Sequence, residues 1–507
     1  MLRKISAVML VAVPFAASQG CAAVDPRIDY DRAARHVADA TGYENIYRPG
    51  AEEAVDARLN EILAGGLTAR EAVEVCLLNN RRLQAAFFDV GMARADLVQS
   101  GLLSNPSLGV SVRFPAGGGL ANVEAGLAQN IAELWQIPQR KKAAEHELEK
   151  AILELAQLAS ELARRSTTAY FKTVAAEERH KLAAENLALA QDLLGLAETR
   201  QQAGAGTELD VNLSRAVSVE AELALEATRL DAAEARRELA TLLGTGRPAS
   251  EIALVTPLPE APSELPDAER LVHVALEARL DVRAARQALS SALARLEQEY
   301  RRIFPTLEFG FELERDARKS EGGRDILADT ARSSIAGGRL TAPEIQPRSD
   351  RDKDTDFIIG PSVSLELPLF DQNQAQIARA KYAYEQAARA LDALERETVH
   401  EVHGAVNRSL TAWRMLAVYR TRTIPLAENN LDLSREAYKA GRASFLSVLE
   451  AQRFFLGTRR RYVEAAERAA LTIPELERAI GVPFDQLISG GGPSCTRSSL
   501  RTGEGDR

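Results

Sequence analysis

The residues best suited to bind a metal are two histidines one turn apart on a predicted helix. His400 and His403 lie in the segment Val-His-Glu-Val-His, and this spacing would let both side chains contact one cation. The segment differs from the His-Glu-x-x-His pattern of zinc peptidases, and no third ligand is evident. The sequence therefore predicts no metal site here.

Two other segments carry part of a ligand-binding pattern. Alternate aspartates resemble the start of a calcium loop, but Thr355 and Pro361 replace the glycine and the glutamate that such a loop requires. These aspartates are Asp350, Asp352, Asp354 and Asp356. The glycines at 117–119 lack the Lys-Ser/Thr of a phosphate-binding loop. The sequence therefore predicts a solvated loop at the aspartates and a turn at the glycines. Because no nucleophile has a base motif nearby, it predicts neither an enzyme nor a cofactor.

The N-terminus has the pattern of a secretory signal peptide over residues 1–20, with basic residues followed by an apolar stretch and small residues. Cys21 follows Gly20 and is the predicted lipid anchor; the alternative is ordinary cleavage near residues 22–23. The chain has three cysteines, Cys21, Cys76 and Cys495. They form no evident disulfide framework, and Cys76 lies in a helical pattern, where a small core residue is expected.

Composition excludes some partners and favours extended helices. The net charge of -9 argues against nucleic acid as a partner, because binding phosphates requires clustered Lys and Arg. Aromatic residues make up 5% of the chain, while Ala, Leu, Glu and Arg dominate long runs. Extended helical packing is predicted.

The same short turn occurs twice, each time after a long helical run. Residues 203–211 and 440–448 both place an Ala-Gly turn before a Thr or Ser and a new apolar helix start. Asn105-Pro106-Ser107-Leu108 is likewise echoed by Phe304-Pro305-Thr306-Leu307. The chain is therefore predicted to contain two copies of one unit.

These patterns predict the domain organisation. An extended segment at 21–66 follows the signal peptide, and a Pro-rich connector at 248–266 separates the repeats at 67–247 and 267–484; a flexible tail occupies 485–507. Each repeat is predicted to contain a helix, a strand pair, a very long helix and a shorter returning helix. These helices are expected to run from Thr68 to about Leu103, from Gln139 to Ala203, from Thr207 to Leu243, from Asp267 to about Ile303 and from about Asp371 to Ala440, with a kink or break at Pro425.

Strict alternation of apolar and polar residues predicts four strands in two hairpins. The hairpins span 107–130 and 306–368, and the second contains a polar, solvent-exposed loop at 315–355. One face of the strands is apolar, and the other carries Glu124, Glu308, Glu312, Glu314 and Glu366. No stretch after the signal is apolar and long enough for a spanning helix, so any membrane crossing is assigned to the strands.

Four strands are too few to close a membrane barrel. Because unpaired backbone groups are costly in lipid, the free edges would have to pair with other copies of the chain. The predicted fold class is an α+β membrane protein in which three copies complete a 12-stranded barrel and long helical hairpins form a periplasmic tunnel. The glutamates named above would line its lumen.

Several motifs together resemble the TolC family of outer-membrane efflux channels. The motifs are Leu67-Thr68-x-x-Glu71-Ala72-Val73, Asn79-Asn80, Asn105-Pro106-Ser107-Leu108, the paired Ala-Gly turns, Leu367-Pro368-Leu369-Phe370 and Val448-Leu449-Glu450-Ala451-Gln452. The likeness covers residues 67–484. It implies a non-enzymatic homotrimer in outer-membrane lipid that docks through a periplasmic adaptor, or membrane fusion protein, to an inner-membrane RND-type transporter.

The resemblance also assigns roles to residues at the two turns. Adaptor-docking tips would comprise Gly204, Gly206, Thr207, Gly441 and Ser444, and an aperture latch would comprise Asp210, Tyr438, Arg442 and Glu450. Ala443 stands at the position of the family's latch arginine, one residue after Arg442. Of the two acidic positions that ring the aperture in the family, one is Ser447 and the other is Glu450.

The leading hypothesis is a passive, gated duct of an RND-type efflux system. One alternative is the duct of an ABC-driven type I secretion system. Another, from a different class, is a coiled-coil periplasmic scaffold without a pore, which would lack the alternating strands. The exported substrate does not follow from the sequence.

Overall fold

The computed structural model describes residues 23–114, 121–246, 248, 252–259, 267–303, 307–317, 326–340 and 355–484. The protein is mostly helical with a small sheet. The predicted signal peptide, Cys21, Cys495, the glycines at 117–119 and the tail at 485–507 lie outside the described residues. In the parts of the chain that are described, no helix is apolar enough over a sufficient length to span a membrane.

The elements follow one another in an order that repeats. The first set is α1 (Arg27–Thr41), α2 (Glu52–Ala64), α3 (Ala69–Asn79), α4 (Arg81–Ser100), β1 (Ser107–Arg113), β2 (Asn122–Asn130), α5 (Glu133–Gln202) and α6 (Glu208–Leu243). The second set is α7 (Ala268–Ala278), α8 (Leu280–Arg301), β3 (Leu307–Ala317), α9 (Ile326–Gly337), β4 (Thr355–Leu365), α10 (Gln374–Val418), a π-helical segment (Tyr419–Thr423), α11 (Ile424–Lys439) and α12 (Phe445–Ile480).

The chain divides into two compact units. The first contains residues up to 95, 146–289 and those from 387 onward, and the second contains 96–145 and 290–386. The core of the first unit consists mainly of alanine and leucine. Tyr170 is fully buried in it, where its hydroxyl donates to the Leu67 carbonyl at 2.9 Å and accepts from the Thr256 amide at 2.8 Å.

The returning helices of the two repeats correspond closely. Helices α6 and α12 both have 36 residues, and both begin after a hydroxyl N-cap, Thr207 or Ser444. Both end at a glycine with positive φ, Gly244 or Gly481. At Gly481 a Cβ atom would lie 2.9 Å from the Arg279 Cα atom, so a side chain would be excluded there as well as strained.

The structure of the N-terminal segment differs from the prediction. Residues 21–66 were predicted to be extended, but they contain α1 and α2. Pro26 and Pro49 suggested irregular chain, yet they stand just before the two helices, where proline is tolerated. In α1 one face carrying Ala33 and Val37 is completely buried, and this packing stabilises the helix.

The first predicted helix of each repeat is two helices. The chain is extended at Asn80, with ψ 113°, and at Arg279, with ψ 126°. At the first break the Asn80 side-chain oxygen accepts from the amides of Arg82 and Leu83, and so caps α4. At the second break Arg279 enters a buried ion-pair network, described below.

The long helices follow the sequence pattern with shifted ends. Helix α5 has 70 residues and begins at Glu133, six residues before the predicted start, with Pro138 inside it. The disruption predicted at Pro425 takes the form of the π-helical segment that precedes it. A proline cannot donate a backbone hydrogen bond, and a wider helical turn accommodates that loss.

The second unit contains an antiparallel four-stranded sheet in the order β1-β2-β3-β4. The segment expected to be a loop at 315–355 is shorter and partly helical, because β3 continues to Ala317, β4 begins at Thr355 and α9 lies between them. Asp350, Asp352 and Asp354 lie outside the described residues, and Asp356 pairs with Asp316 in the sheet.

Candidate functional site

The sheet has one apolar face. Its register places Leu127 between Leu108 and Phe311, and Leu313 opposite Ile359. These side chains remain well exposed in the single chain: 72% for Leu108, 50% for Leu127 and 54% for Phe311. Large apolar side chains aligned in this way indicate a surface that is covered by another apolar phase or protein.

The opposite face is polar, and it is closely packed at Gly310. Glu124 lies opposite Glu314, and its carboxylate accepts a hydrogen bond from Arg113 at 2.8 Å. A Cβ atom on Gly310 would lie 2.5 Å from the Ser362 hydroxyl oxygen and 3.0 Å from the Leu127 carbonyl oxygen. The backbone and Ser362 therefore leave no room for a side chain at residue 310.

The register places four of the five predicted lumen residues on this polar face. They are Glu124, Glu308, Glu312 and Glu314. The fifth, Glu366, lies one residue beyond the end of β4 at Leu365, so the register assigns it to neither face. The alternation of the sequence continues past the last ladder position, so it did not show where the strand ends.

Both sheet edges are open. In the described sheet, β1 pairs only with β2, and β4 pairs only with β3. An edge strand presents unpaired N–H and C=O groups that favour pairing with another strand. The sheet therefore has two edges at which further copies could add strands.

Polar contacts fix the ends of the strands to the helices within the second unit. The Asn130 side-chain oxygen accepts from the amides of Ala132 and Leu307, at 2.9 and 3.4 Å. Arg140 donates to the carbonyls of Ser100 and Leu102, at 2.7 and 2.6 Å. These bonds orient the strands relative to the helix ends of the same unit.

The two Ala-Gly turns are matching helix C-caps in the first unit. Ala205 donates to the Arg200 carbonyl, and Arg442 donates to the Ala437 carbonyl, each at 2.8 Å. Gly204 and Gly441 follow the helix ends with φ of 74° and 69°. Both turns are Schellman motifs, in which glycine adopts the left-handed conformation at low cost.

The first residues after each turn cap the returning helix. Thr207 and Asp210 form a reciprocal capping box, with both hydrogen bonds at 3.2 Å. Ser444 accepts from the Ser447 amide at 3.4 Å. The carboxylate of Asp210 therefore accepts from the backbone amide of Thr207 at the start of its own helix, and among the described residues the Tyr438 hydroxyl donates no hydrogen bond to it.

Tyr438 is buried at this end of the first unit, with 3% of its surface exposed. Its ring packs edge-on against Phe445, and it belongs to an apolar cluster with Leu193 and Val448. The hydroxyl oxygen is buried and has no hydrogen-bond partner within the described residues. Burial raises the pKa of this hydroxyl, the positive charge of Arg200 opposes that effect, and Asp210 adds to it, so the hydroxyl stays protonated as a donor.

Arg200 holds the two turns together, and the sequence reasoning missed it. Its guanidinium lies 4.3 Å from the centre of the Tyr438 ring and donates to the carbonyls of Tyr438, at 2.6 Å, and Ala205, at 3.3 Å. A basic residue in the last turn of a helix was the available signal. Arg442 and Glu450, the other predicted latch residues, are exposed.

A buried ion-pair network stabilises the same unit at the break between α7 and α8. Arg279 is 6% exposed and contacts Asp281 at 2.6 Å, Glu401 at 2.5 Å and the Ala479 carbonyl at 3.3 Å. Arg478 also contacts Glu401. Burial alone would raise the pKa of both carboxyl groups, but the hydrogen bonds and charge of Arg279 outweigh it and lower both pKa values.

The other residues considered for chemistry have structural surroundings. Cys76 is completely buried, and burial raises the pKa of its thiol to about 12, which makes it a poor nucleophile. His403 lies 3.7 Å from Glu269. Within the described ranges, no group of three or more His, Cys, Asp or Glu side chains could hold a metal ion.

Comparison with characterised proteins identifies two relatives over most of the chain. The cobalt-zinc-cadmium resistance protein CzcC of Cupriavidus metallidurans is 25% identical over 430 residues, which cover 82% of this chain and 91% of that protein. The pyoverdine export outer membrane protein OpmQ of Pseudomonas aeruginosa is 26% identical over 366 residues, which cover 70% of this chain and 65% of OpmQ.

A solved structure shares the fold. The outer membrane protein VceC of Vibrio cholerae superimposes with a TM-score of 0.62 at 19% identity, covering 86% of this chain and all of that chain. The family model described as outer membrane efflux protein matches residues 72–245 and 271–482. Proteins of this family are channels, not enzymes. The match to the family model confirms the resemblance seen in the sequence motifs. This chain belongs to the outer membrane efflux protein family, the group of TolC-like channels.

Proposed function

We propose that this chain is the outer-membrane duct of a tripartite efflux system. Three copies would join their sheets into a 12-stranded barrel, and their helices would form the periplasmic tunnel. The observation that carries the proposal is the sheet itself, which has an apolar face, an acidic opposite face and two open edges. An apolar exterior and a polar interior are what a membrane pore requires.

The same proposal assigns partners to the two turns. Gly204, Gly206, Thr207, Gly441 and Ser444 would contact a periplasmic adaptor, which would link the duct to an inner-membrane RND-type transporter. Cys21 would carry a lipid anchor. The relatives are named for different cargoes, cobalt, zinc and cadmium in one and pyoverdine in the other. No substrate is therefore assigned.

Planar-bilayer recording tests the duct. Purified full-length protein is expected to produce discrete current steps after insertion. Glu312→Gln removes an acidic side chain from the proposed lumen and is expected to lower the preference for cations over anions. If folded protein inserts and gives no steps, the chain is not a duct.

Arg200 is expected to keep the tip of the duct narrow. Arg200→Ala removes a cation–π contact, worth about 0.5–1 kcal/mol, and a charge-assisted hydrogen bond, worth about 1.5–3 kcal/mol, from every copy. We expect the single-channel conductance to rise. Arg215→Ala is the matched control, because the contact of Arg215 in the described part of the chain is an exposed pair with Glu198 at 3.4 Å.

Equal conductance in the Arg200→Ala and Arg215→Ala variants would contradict this role. Tyr438→Phe tests the Tyr438 hydroxyl separately from Arg200. The Tyr438 hydroxyl is buried within the single chain and has no partner among the described residues, so Tyr438→Phe should leave the conductance unchanged. An unchanged conductance would assign the constraint to Arg200 alone.

A further inference from the structure

Two side chains in the first unit, Gln452 and Asn186, have buried amide atoms without a hydrogen-bond partner within the described residues. Gln452 in α12 is 1% exposed, and neither its Oε1 nor its Nε2 atom has a partner in the described part of the chain. The Oδ1 atom of Asn186 in α5 is also buried and unpartnered. A buried polar group left in this state costs about 1–3 kcal/mol, and natural proteins seldom retain one without a reason.

Gln452 and Asn186 both line one cavity of about 380 Å³, which lies between α5, α6 and α12. Its apolar wall includes the buried side chains of Leu182, Ala183 and Leu449. This volume is more than ten times the roughly 30 Å³ that one water occupies in the liquid, and it falls in the range of small-molecule sites.

Four charged side chains line the cavity. Glu220, Arg453 and Arg460 are solvent-exposed, and the half-buried Arg179 is already paired with Glu467 at 2.5 Å. A charge placed beside the amides would therefore lose its hydration without gaining an unpaired opposite charge. A carboxamide both donates and accepts hydrogen bonds, so a partner that does both is favoured.

We propose that this cavity binds a small neutral molecule whose polar end both donates and accepts hydrogen bonds and whose body is apolar. The polar end bonds the Gln452 carboxamide after that side chain turns toward the cavity, a movement that breaks no hydrogen bond within the described residues, and Asn186 Oδ1 is a second acceptor. The apolar body packs on Leu182, Ala183 and Leu449. This site lies within one unit of one copy and does not depend on whether the protein forms a duct.

Hexanamide is a suitable probe, because it joins a primary amide to a short alkyl chain. Its binding to the detergent-solubilised full-length protein is measured by ligand-observed saturation-transfer NMR, with hexanoate at neutral pH as the charged control. We expect saturable binding of hexanamide and at least about tenfold weaker binding of hexanoate. Gln452→Leu should weaken hexanamide binding by about tenfold, which corresponds to 1.4 kcal/mol.

A second variant fills the cavity with a new side chain. A Cβ atom on Gly457 would meet nothing within 4 Å, so Gly457→Leu should fold and should abolish hexanamide binding by filling the space. Gly195→Leu is the matched control, since Gly195 also stands in a helix with open space around it but does not line this cavity. Binding to Gly195→Leu should equal that of the unchanged protein.

Three results would overturn the proposal. Absence of saturable hexanamide binding to the folded protein would mean that the cavity holds water only. Equal affinity in Gln452→Leu would remove the amide as the polar anchor. Binding that survives Gly457→Leu would place the probe elsewhere on the protein.

Discussion

Phe311→Arg is expected to prevent assembly of the protein in the outer membrane. Phe311 is on a central strand of the sheet, opposite Leu127 and Pro361 on the apolar face. An arginine facing lipid near the bilayer midplane costs about 2–4 kcal/mol, and the cost recurs in every copy of an oligomer. The heat-resistant oligomer should disappear from the outer-membrane fraction.

Glu312→Arg is the matched control for this change. Residue 312 is the next one along the strand, points to the opposite face and lies between Gly126 and Gly360, which leave room for a long side chain. The same substituent should therefore be tolerated. If Phe311→Arg assembles as well as Glu312→Arg, the apolar face does not contact lipid.

Arg279→Ala is expected to cause a large loss of stability in the first unit. The change leaves Asp281 and Glu401 without their buried partner. Breaking a buried pair in this way costs about 3–5 kcal/mol. The helical circular dichroism signal should be lost at a markedly lower temperature. Arg408→Ala, which breaks an exposed pair with Glu475, should cost at most about 1 kcal/mol.

Lowering the pH should remove the stabilisation that the ion pairs of Arg279 contribute. The pKa values of Asp281 and Glu401 are lowered in the folded protein, so the stabilisation is complete above the pKa values of the unfolded chain. It is lost as the pH falls through the folded-state values. The difference in stability between the unchanged protein and Arg279→Ala should therefore shrink in acid. Equal losses for Arg279→Ala and Arg408→Ala at neutral pH would contradict the assigned role.

The strand faces and helix turns were predictable because their signals are local. Leu307, Phe309, Phe311 and Leu313 alternate with glutamate and glycine, and a period of two fixes which side chains share a face. Likewise, Gly204 predicts the end of one helix, and Thr207 predicts the start of the next helix three residues later. Such patterns need no knowledge of distant residues.

The contacts that hold the first unit together were not predictable, because they join residues far apart in the chain. Arg200 meets Tyr438 across 238 positions, and Arg279 meets Glu401 across 122. The two N-terminal helices were missed for a related reason, because the burial of Ala33 and Val37 becomes visible only in the folded chain. Local propensity did not reveal the break at Arg279, whose side chain enters a network with residues from other helices.

The two open edges of the sheet are expected to be completed by other copies of the same chain. Native mass spectrometry of the full-length protein, extracted from the outer membrane and released from lipid nanodiscs, measures this directly. We expect a species with three times the mass of the mature chain, and its loss in Phe311→Arg. A stable monomer in lipid would contradict the trimeric barrel, because it would leave β1 and β4 unpaired in the membrane.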